Sequence, residues 1–308
     1  GLSVTLSGYP LYGSDIGGYR GGTPNTEVLL RWAQFGALST VMQLGGGGTG
    51  DATHFPWDER YDTETAIPIY RRYARLHMRL LPTLEAMVKK AVTTGYPPLL
   101  PVGVVANNEP AWADINTFVF GDRLLAAPVV EPGVSTRRLV MPPGRWIDWW
   151  QPGRSYDGGT HEVDAPLDTM PLYQRAGSVL ALAHPDLMTA VEAEEQAVAD
   201  PSSVGEAWEL RTSKGPADQL TLVDGMSLEQ MPTEGGLKVT VNQPKDRQVV
   251  IRVQMEERYQ GQPELSVDGS PVVLDRTEDE WSCPEQCVLI SEHEVVVVGS
   301  GQVLELNL

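Results

Sequence analysis

Leu6 to Trp57 decides the reading of this chain. It runs LSGYPLYGSDIGGYRG from Leu6, LLRWAQFGALS from Leu29, and VMQLGGGGTGDATHFPW from Val41 to Trp57. An apolar run ends in a Gly-rich turn that holds one acid, Asp15. A second apolar run ends in another Gly-rich turn, which leads to His54 and Trp57. Leu2–Tyr12 alternates loosely between apolar and small residues and breaks at Gly13, which predicts a strand entering a loop. Asn25 or Thr26 is placed to cap a helix, and Val28, Leu29, Trp32, Phe35 and Gly36 form its stripe. Leu38–Leu44 predicts the next strand. Strand, helix, strand, each short and ending in polar loops, is how a β/α barrel builds its working face.

Outward from this core the texture changes twice. Thr63–Thr94 carries Ile69, Tyr73, Leu76, Leu80, Leu84, Val88 and Ala91 at helical spacing, with Gly95 and Pro97 as stops. Its cations, Arg71, Arg72, Arg75, Arg79, Lys89 and Lys90, predict a solvated face. Beyond Gly95, short apolar runs such as RLLAAPVV and RWIDWW are separated by Gly and Pro, an all-β texture. An acidic, linker-like passage follows His184. Runs such as QLTLVDG, RQVVIRVQM and EVVVVGS then alternate with a period near two. The expectation is α/β plus all-β: residues 1–95 as the C-terminal part of a (β/α)8 TIM barrel, 96–183 as a proximal β-sandwich and 184–308 as a distal one.

Charge and composition exclude several functions. The 308 residues hold 41 acids and 23 bases, a formal net charge of -18. Such a surface repels phosphate backbones and anionic lipid, so neither nucleic acid nor membrane is an expected partner. No apolar run reaches the ~20 residues of a membrane span. Gly1 and GLSVTLSG lack the basic and apolar segments of a signal peptide, and the reading is that the chain begins inside a domain. The two cysteines, Cys283 and Cys287, flank Pro284. A turn there brings Cα atoms within about 4.4–6.8 Å, which suits a disulfide and an exported protein. A metal site is the rival reading, with His293 as the one further ligand near in sequence. No HExxH, no Lys-Ser/Thr after GGGGTG and no strand-linked GxGxxG occurs, so neither a catalytic metal nor a nucleotide cofactor is expected.

SGYPLYGSDIGG with EVLLRWAQFGALS resembles the seventh strand, loop and helix of the barrel of glycoside hydrolase family 31. YARLHMRLLPTLEAMVKKAVTTGYPPLLPV resembles its last barrel helix. FVFGDRLLAAPVVEPG, MPPGRWIDWW and PLYQRAGSVLALA resemble the β-domain that follows. The joint order of these blocks, across roughly residues 2–183, carries the specificity.

The resemblance implies a retaining α-glycosidase acting on terminal α-linked sugars, with a carbohydrate as partner and no cofactor. Such enzymes work with two carboxyl groups about 5–5.5 Å apart. In the family these are Asp residues on strands four and six, whose motifs precede Gly1. No catalytic residue is therefore assigned here, and neither Asp15 nor Asp51 takes that role. The sugar pocket is carried over in part: Asp15 as an acid at the foot of the subsite, Tyr19 as an aromatic wall, and His54 and Trp57 from the second loop. The family's usual histidine at the end of strand eight falls on Gly45 here, and His54 is expected to swing back into its space. The Arg31-Trp32 pair is read as packing between helix and barrel. A non-catalytic carbohydrate-binding relative of the same fold is the alternative.

Overall fold

The computed structural model describes residues 1–45, 54–195, 197–200, 208–276, 280, 283 and 286–308. They divide into two compact units. One comprises Gly1–His77, Met87–Gly144 and Asp157–Tyr173; the other comprises Met78–Ala86, Arg145–Tyr156 and Gln174–Leu308.

The first unit opens with a correction. The stretch expected as a strand from Leu2 begins as a helix, α1 (Leu2–Leu6). Leu2, Thr5 and Leu6 also satisfy helical spacing, and a distant partner decides between the two: Thr5 Oγ1 donates to the Leu99 carbonyl at 3.1 Å. The strand is shorter and later, β1 (Gly13–Asp15). Helix α2 (Thr26–Ala37) follows, and Asn25 Oδ1 accepts from the Val28 amide at 2.9 Å as its N-cap. Strand β2 (Val41–Gln43) pairs parallel to β1, with Gly13 opposite Val41 and Asp15 opposite Gln43. Parallel pairing across an intervening helix is the β/α unit expected.

Helix α2 buries Leu29, Leu30 and Ala33 against Ile16, Tyr61, Ala66 and Tyr70. Val28, expected on that stripe, is exposed. Each fully buried Leu stabilises by about 1.5–3 kcal/mol. Trp32 joins helix to strand, its Nε1 donating to Ser14 Oγ at 2.8 Å. Arg31, buried on the same helix, donates to the carbonyls of Ala165 (2.8 Å), Pro166 (3.1 Å) and Val134 (3.3 Å). Burial pulls its pKa down.

Helix α3 (Thr63–Thr94) has the expected bounds. Asp62 caps its start, and Gly95 closes it with φ +75°. Tyr73, Leu76, Leu80, Leu84 and Ala91 lie on the buried stripe. Pro82 lies within the helix, which continues to Thr94. The solvated-face reading fails for two cations. Arg72 Nη1 donates to the Asp168 carbonyl at 3.2 Å, and Arg79 Nη2 pairs with buried Glu209 at 2.7 Å. A long basic side chain on a polar stripe carries no sequence mark of a partner 130 residues away.

The rest of the described chain is mostly strand. Leu99–Pro101, Phe118–Phe120, Leu124–Ala126, Leu172–Arg175, Thr136–Asp148 and Ser155–Asp164 form a six-stranded sheet in that spatial order. A ten-stranded sheet is built around Leu237–Gln254 and Glu294–Asn307, paired antiparallel over most of their length. Trp208–Ser213 pairs parallel to Leu237–Gln254, with Glu209 opposite Val250 and Arg211 opposite Arg252. One face of this pair carries Leu210, Val249, Ile251 and Val253 into the large apolar core. The other carries Glu209, Arg211 and Arg252 beside Val250 and the cysteines. Cys283 and Cys287 are joined there by a disulfide, their Cα atoms 6.4 Å apart.

Glu209 is the centre of that second face. Arg252 Nε lies 3.1 Å from its Oε1, and Arg252 Nη1 lies 2.7 Å from Glu294 Oε2. Arg252 also pairs with Glu280. The Arg211 guanidinium lies 4.1 Å from the Trp149 ring centroid, a cation–π contact. Burial opposes ionisation of Glu209, yet the fields of Arg79, Arg252 and Arg211 together hold its carboxyl below the usual range. Burial pushes Arg211 down to about 10.

Candidate functional site

The parallel pairing places Asp15 and Gln43 side by side at the same end of the two strands. Gln43 Nε2 donates to Asp15 Oδ1 at 2.5 Å, and the Ile16 amide donates to the Gln43 carbonyl at 3.0 Å. The ends of parallel strands are where an α/β protein presents polar groups to a ligand. Gly45 lies against the same carboxylate: a Cβ there would stand 2.0 Å from Asp15 Oδ1. The position expected to lack a histidine therefore has no room for any side chain while Asp15 keeps this rotamer.

The loop after Asp15 turns sharply, with φ +89° at Gly17 and +99° at Gly18. A Cβ on Gly17 would meet His54 Cβ at 2.7 Å. His54 is thus beside the Asp15 loop, but it is 4% exposed and packed. Its Nδ1 lies 3.0 Å from Tyr61 Oη. Burial raises the Tyr61 pKa.

Two further contacts tie this loop to the segment after His54. Arg60 holds Asp58 with two hydrogen bonds of 2.8 Å, from Nε to Oδ1 and from Nη2 to Oδ2. Its Nη1 reaches Thr23 Oγ1 at 3.0 Å. The hydrogen bonds from Arg60 bring the exposed Asp58 carboxyl down to about 2. The Asp62 amide donates to Thr26 Oγ1 at 3.1 Å.

Tyr19 and Trp57 are both solvent-facing, 50% and 61% exposed. Trp57 stacks on Phe55 with ring centroids 4.7 Å apart and planes 12° apart. The Arg20 guanidinium lies 5.6 Å from the Tyr19 ring. The structure thus joins Asp15 to Gln43 and sets His54 behind the Asp15 loop, while Tyr19 and Trp57 present rings outward. Tyr61, Arg60 and Thr23 went unnoticed in the sequence, because spacings of 7 and 37 residues carry no periodic signal. Asp51 lies outside the described residues. Among the described residues no cluster of three or more His, Cys, Asp or Glu is placed to hold a metal.

A separate groove of about 780 Å³ runs along β1 and α2, lined by Tyr12, Ser14, Val28, Trp32, Phe35 and Val130 among others. Asp15, Tyr19, His54 and Trp57 do not line it. Its walls are largely apolar, with Glu27, Arg31 and Glu131 among the lining residues.

Residues 1–87 match the family model described as the TIM-barrel domain of glycosyl hydrolases family 31. Residues 95–180 match the model of the family's C-terminal domain. The chain belongs to glycoside hydrolase family 31. It is similar to the 1,3-alpha-isomaltosidase of Kribbella flavida, 31% identical over 187 residues, which is 57% of this chain and 25% of that protein. It is also similar to Alpha-glucosidase 2 of Bacillus thermoamyloliquefaciens (31% identical, 59% of this chain, 22% of that protein). The Alpha-xylosidase of Saccharolobus solfataricus is 27% identical over 59% of this chain and 25% of its own length. This family 31 chain spans about a quarter or less of the length of these curated relatives. Its fold is that of a Flavobacterium johnsoniae GH31 dextranase solved with glucose, at a TM-score of 0.80 and 21% identity. That alignment covers 100% of this chain and 41% of the dextranase.

Proposed function

We propose that this chain is the C-terminal part of a retaining α-glycosidase that hydrolyses terminal α-linked sugars. In this reading residues 1–95 supply the last two β/α units of the catalytic barrel. Residues 96–183 and 184–308 are a proximal and a distal β-sandwich. The nucleophile and the acid/base are carboxylates on upstream strands. This chain contributes one side of the sugar pocket.

The observation that carries the reading is the placement of Asp15 and Gln43 together at one end of a parallel strand pair. An ionised carboxylate there accepts hydrogen bonds from sugar hydroxyls. The exposed rings of Tyr19 and Trp57 supply apolar faces for a sugar to lie on. His54, packed behind the loop and bonded to Tyr61, supports the wall of the pocket rather than reaching the sugar directly. The names of the relatives, which include isomaltosidase, α-glucosidase and α-xylosidase, agree on α-glycoside chemistry and differ on the sugar.

The test has two arms. The 308-residue chain alone is expected to release no nitrophenol from any nitrophenyl α-glycoside. Co-expression with an upstream segment that carries Asp at the ends of strands four and six is expected to restore turnover with retention of anomeric configuration. Turnover by the chain alone refutes the assignment of the carboxylates. A complemented protein that binds sugar without turnover supports the non-catalytic alternative.

A further inference from the structure

Asp15 has two close neighbours, one on the other strand and one just beyond its end. Gln43 Nε2 holds Oδ1 at 2.5 Å, and Gly45 leaves open the space that this same oxygen fills. Among the described residues Asp15 makes no ion pair, and its Oδ2 has no hydrogen-bond partner. A carboxylate on a flexible stem has two oxygens and several rotamers; here one oxygen is held by an amide and the rotamer is permitted by a missing side chain.

We infer that Gln43 is a positioning residue for Asp15. It fixes one carboxylate oxygen so that the other accepts a hydroxyl of an uncharged sugar, and Gly45 is the space that permits this placement. The inference rests on the reading of Asp15 as a pocket acid. An anionic sugar would bring a like charge against Asp15, which has no cation paired with it among the described residues. A neutral amide suits the task because it donates to Oδ1 without neutralising the carboxylate, which keeps its charge for the hydroxyl.

The first arm needs no sugar. In the 308-residue chain the side-chain amide protons of Gln43, followed by NMR, are expected to show a strongly hydrogen-bonded shift. Asp15→Asn and Gly45→Ala are each expected to return it to the ordinary range. A Gln43 signal unchanged in both variants overturns the inference.

The second arm titrates methyl α-D-glucopyranoside and methyl α-D-glucuronide into the chain complemented by the upstream barrel segment. The wild-type chain is expected to bind the first in preference to the second. Gln43→Leu is expected to weaken binding about tenfold, the usual weight of a hydrogen bond to a charged group. Gln43→Glu sets two carboxyls side by side, so its affinity is expected to depend on pH differently from that of the wild type. Wild-type affinity in both Gln43 variants at every pH overturns the positioning role but leaves Asp15 in the pocket. Wild-type affinity in Asp15→Asn, or no binding by the wild-type chain once complemented by the upstream barrel segment, overturns the pocket reading itself and leaves the amide geometry to the first arm.

Discussion

Replacing Glu209 with Gln tests the buried charge network most directly. Glu209 is 2% exposed and faces Arg79 at 2.7 Å and Arg252 at 3.1 Å, with Arg211 close enough to lower its pKa. The variant keeps the volume and removes the charge: buried Arg211 and partly exposed Arg79 lose its field, while Arg252 keeps Glu294 and Glu280. Breaking a buried pair by removing one partner costs about 3–5 kcal/mol. For a cooperative unit of roughly 150 residues that is a drop in melting temperature of about 6–20 °C. The sign with pH is fixed as well. A carboxyl whose folded pKa lies below its unfolded value contributes stability above the unfolded pKa and loses it as pH falls through the folded one. Wild-type and variant stabilities are therefore expected to converge as the pH drops below about 4. Calorimetry or urea unfolding from pH 3 to 8 measures both effects. A double-mutant cycle with Arg79→Met gives the coupling, expected at about 1 kcal/mol or more. A variant melting within 2 °C of wild type at pH 7, or a gap that does not narrow in acid, refutes this account.

Four other outcomes are expected. Gly17→Ala forces a Cβ onto His54 at φ +89°; it is expected to cost about 1–3 kcal/mol and to shift the His54 ring resonances. Asn25→Ala removes the cap of α2 and is expected to cost about 1 kcal/mol by urea unfolding, with Asn25→Ser restoring most of it. Asp148 has its pKa raised by burial, so its ionisation opposes folding as pH rises. Asp148→Asn is accordingly expected to be neutral or to stabilise slightly at pH 8, and less so at pH 4, in thermal melts. Replacing Cys283 and Cys287 together by Ser opens a short loop and is expected to cost about 2 kcal/mol on a chain-entropy account.

Helix α3 was legible because 32 residues average out local ambiguity, and its start and stop both carry capping chemistry. The first strand was not. Leu2–Tyr12 is too short for periodicity to separate two from 3.6, and Thr5 takes its partner from Leu99, far along the chain. At the candidate site the sequence marked Asp15, because an acid between glycines after an apolar run is unusual in itself. It did not mark the function of Gly45, since a glycine needed for space looks the same as one needed for a turn. Arg31 read as part of a packing pair and Arg79 as an ordinary helix cation, yet one ties down three carbonyls and the other meets a buried carboxylate. Only the fold brings such partners within reach.

The strand pair Trp208–Ser213 and Leu237–Gln254 has one hydrocarbon face and one face that carries Glu209, Arg211 and Arg252. A slip of one residue would press those charges into hydrocarbon and strand Leu210 and Ile251 among ions. A uniformly greasy pair would tolerate such an error; this one rejects it. The network thus makes the register itself part of what holds the sheet together, because a shifted pairing forfeits both faces at once.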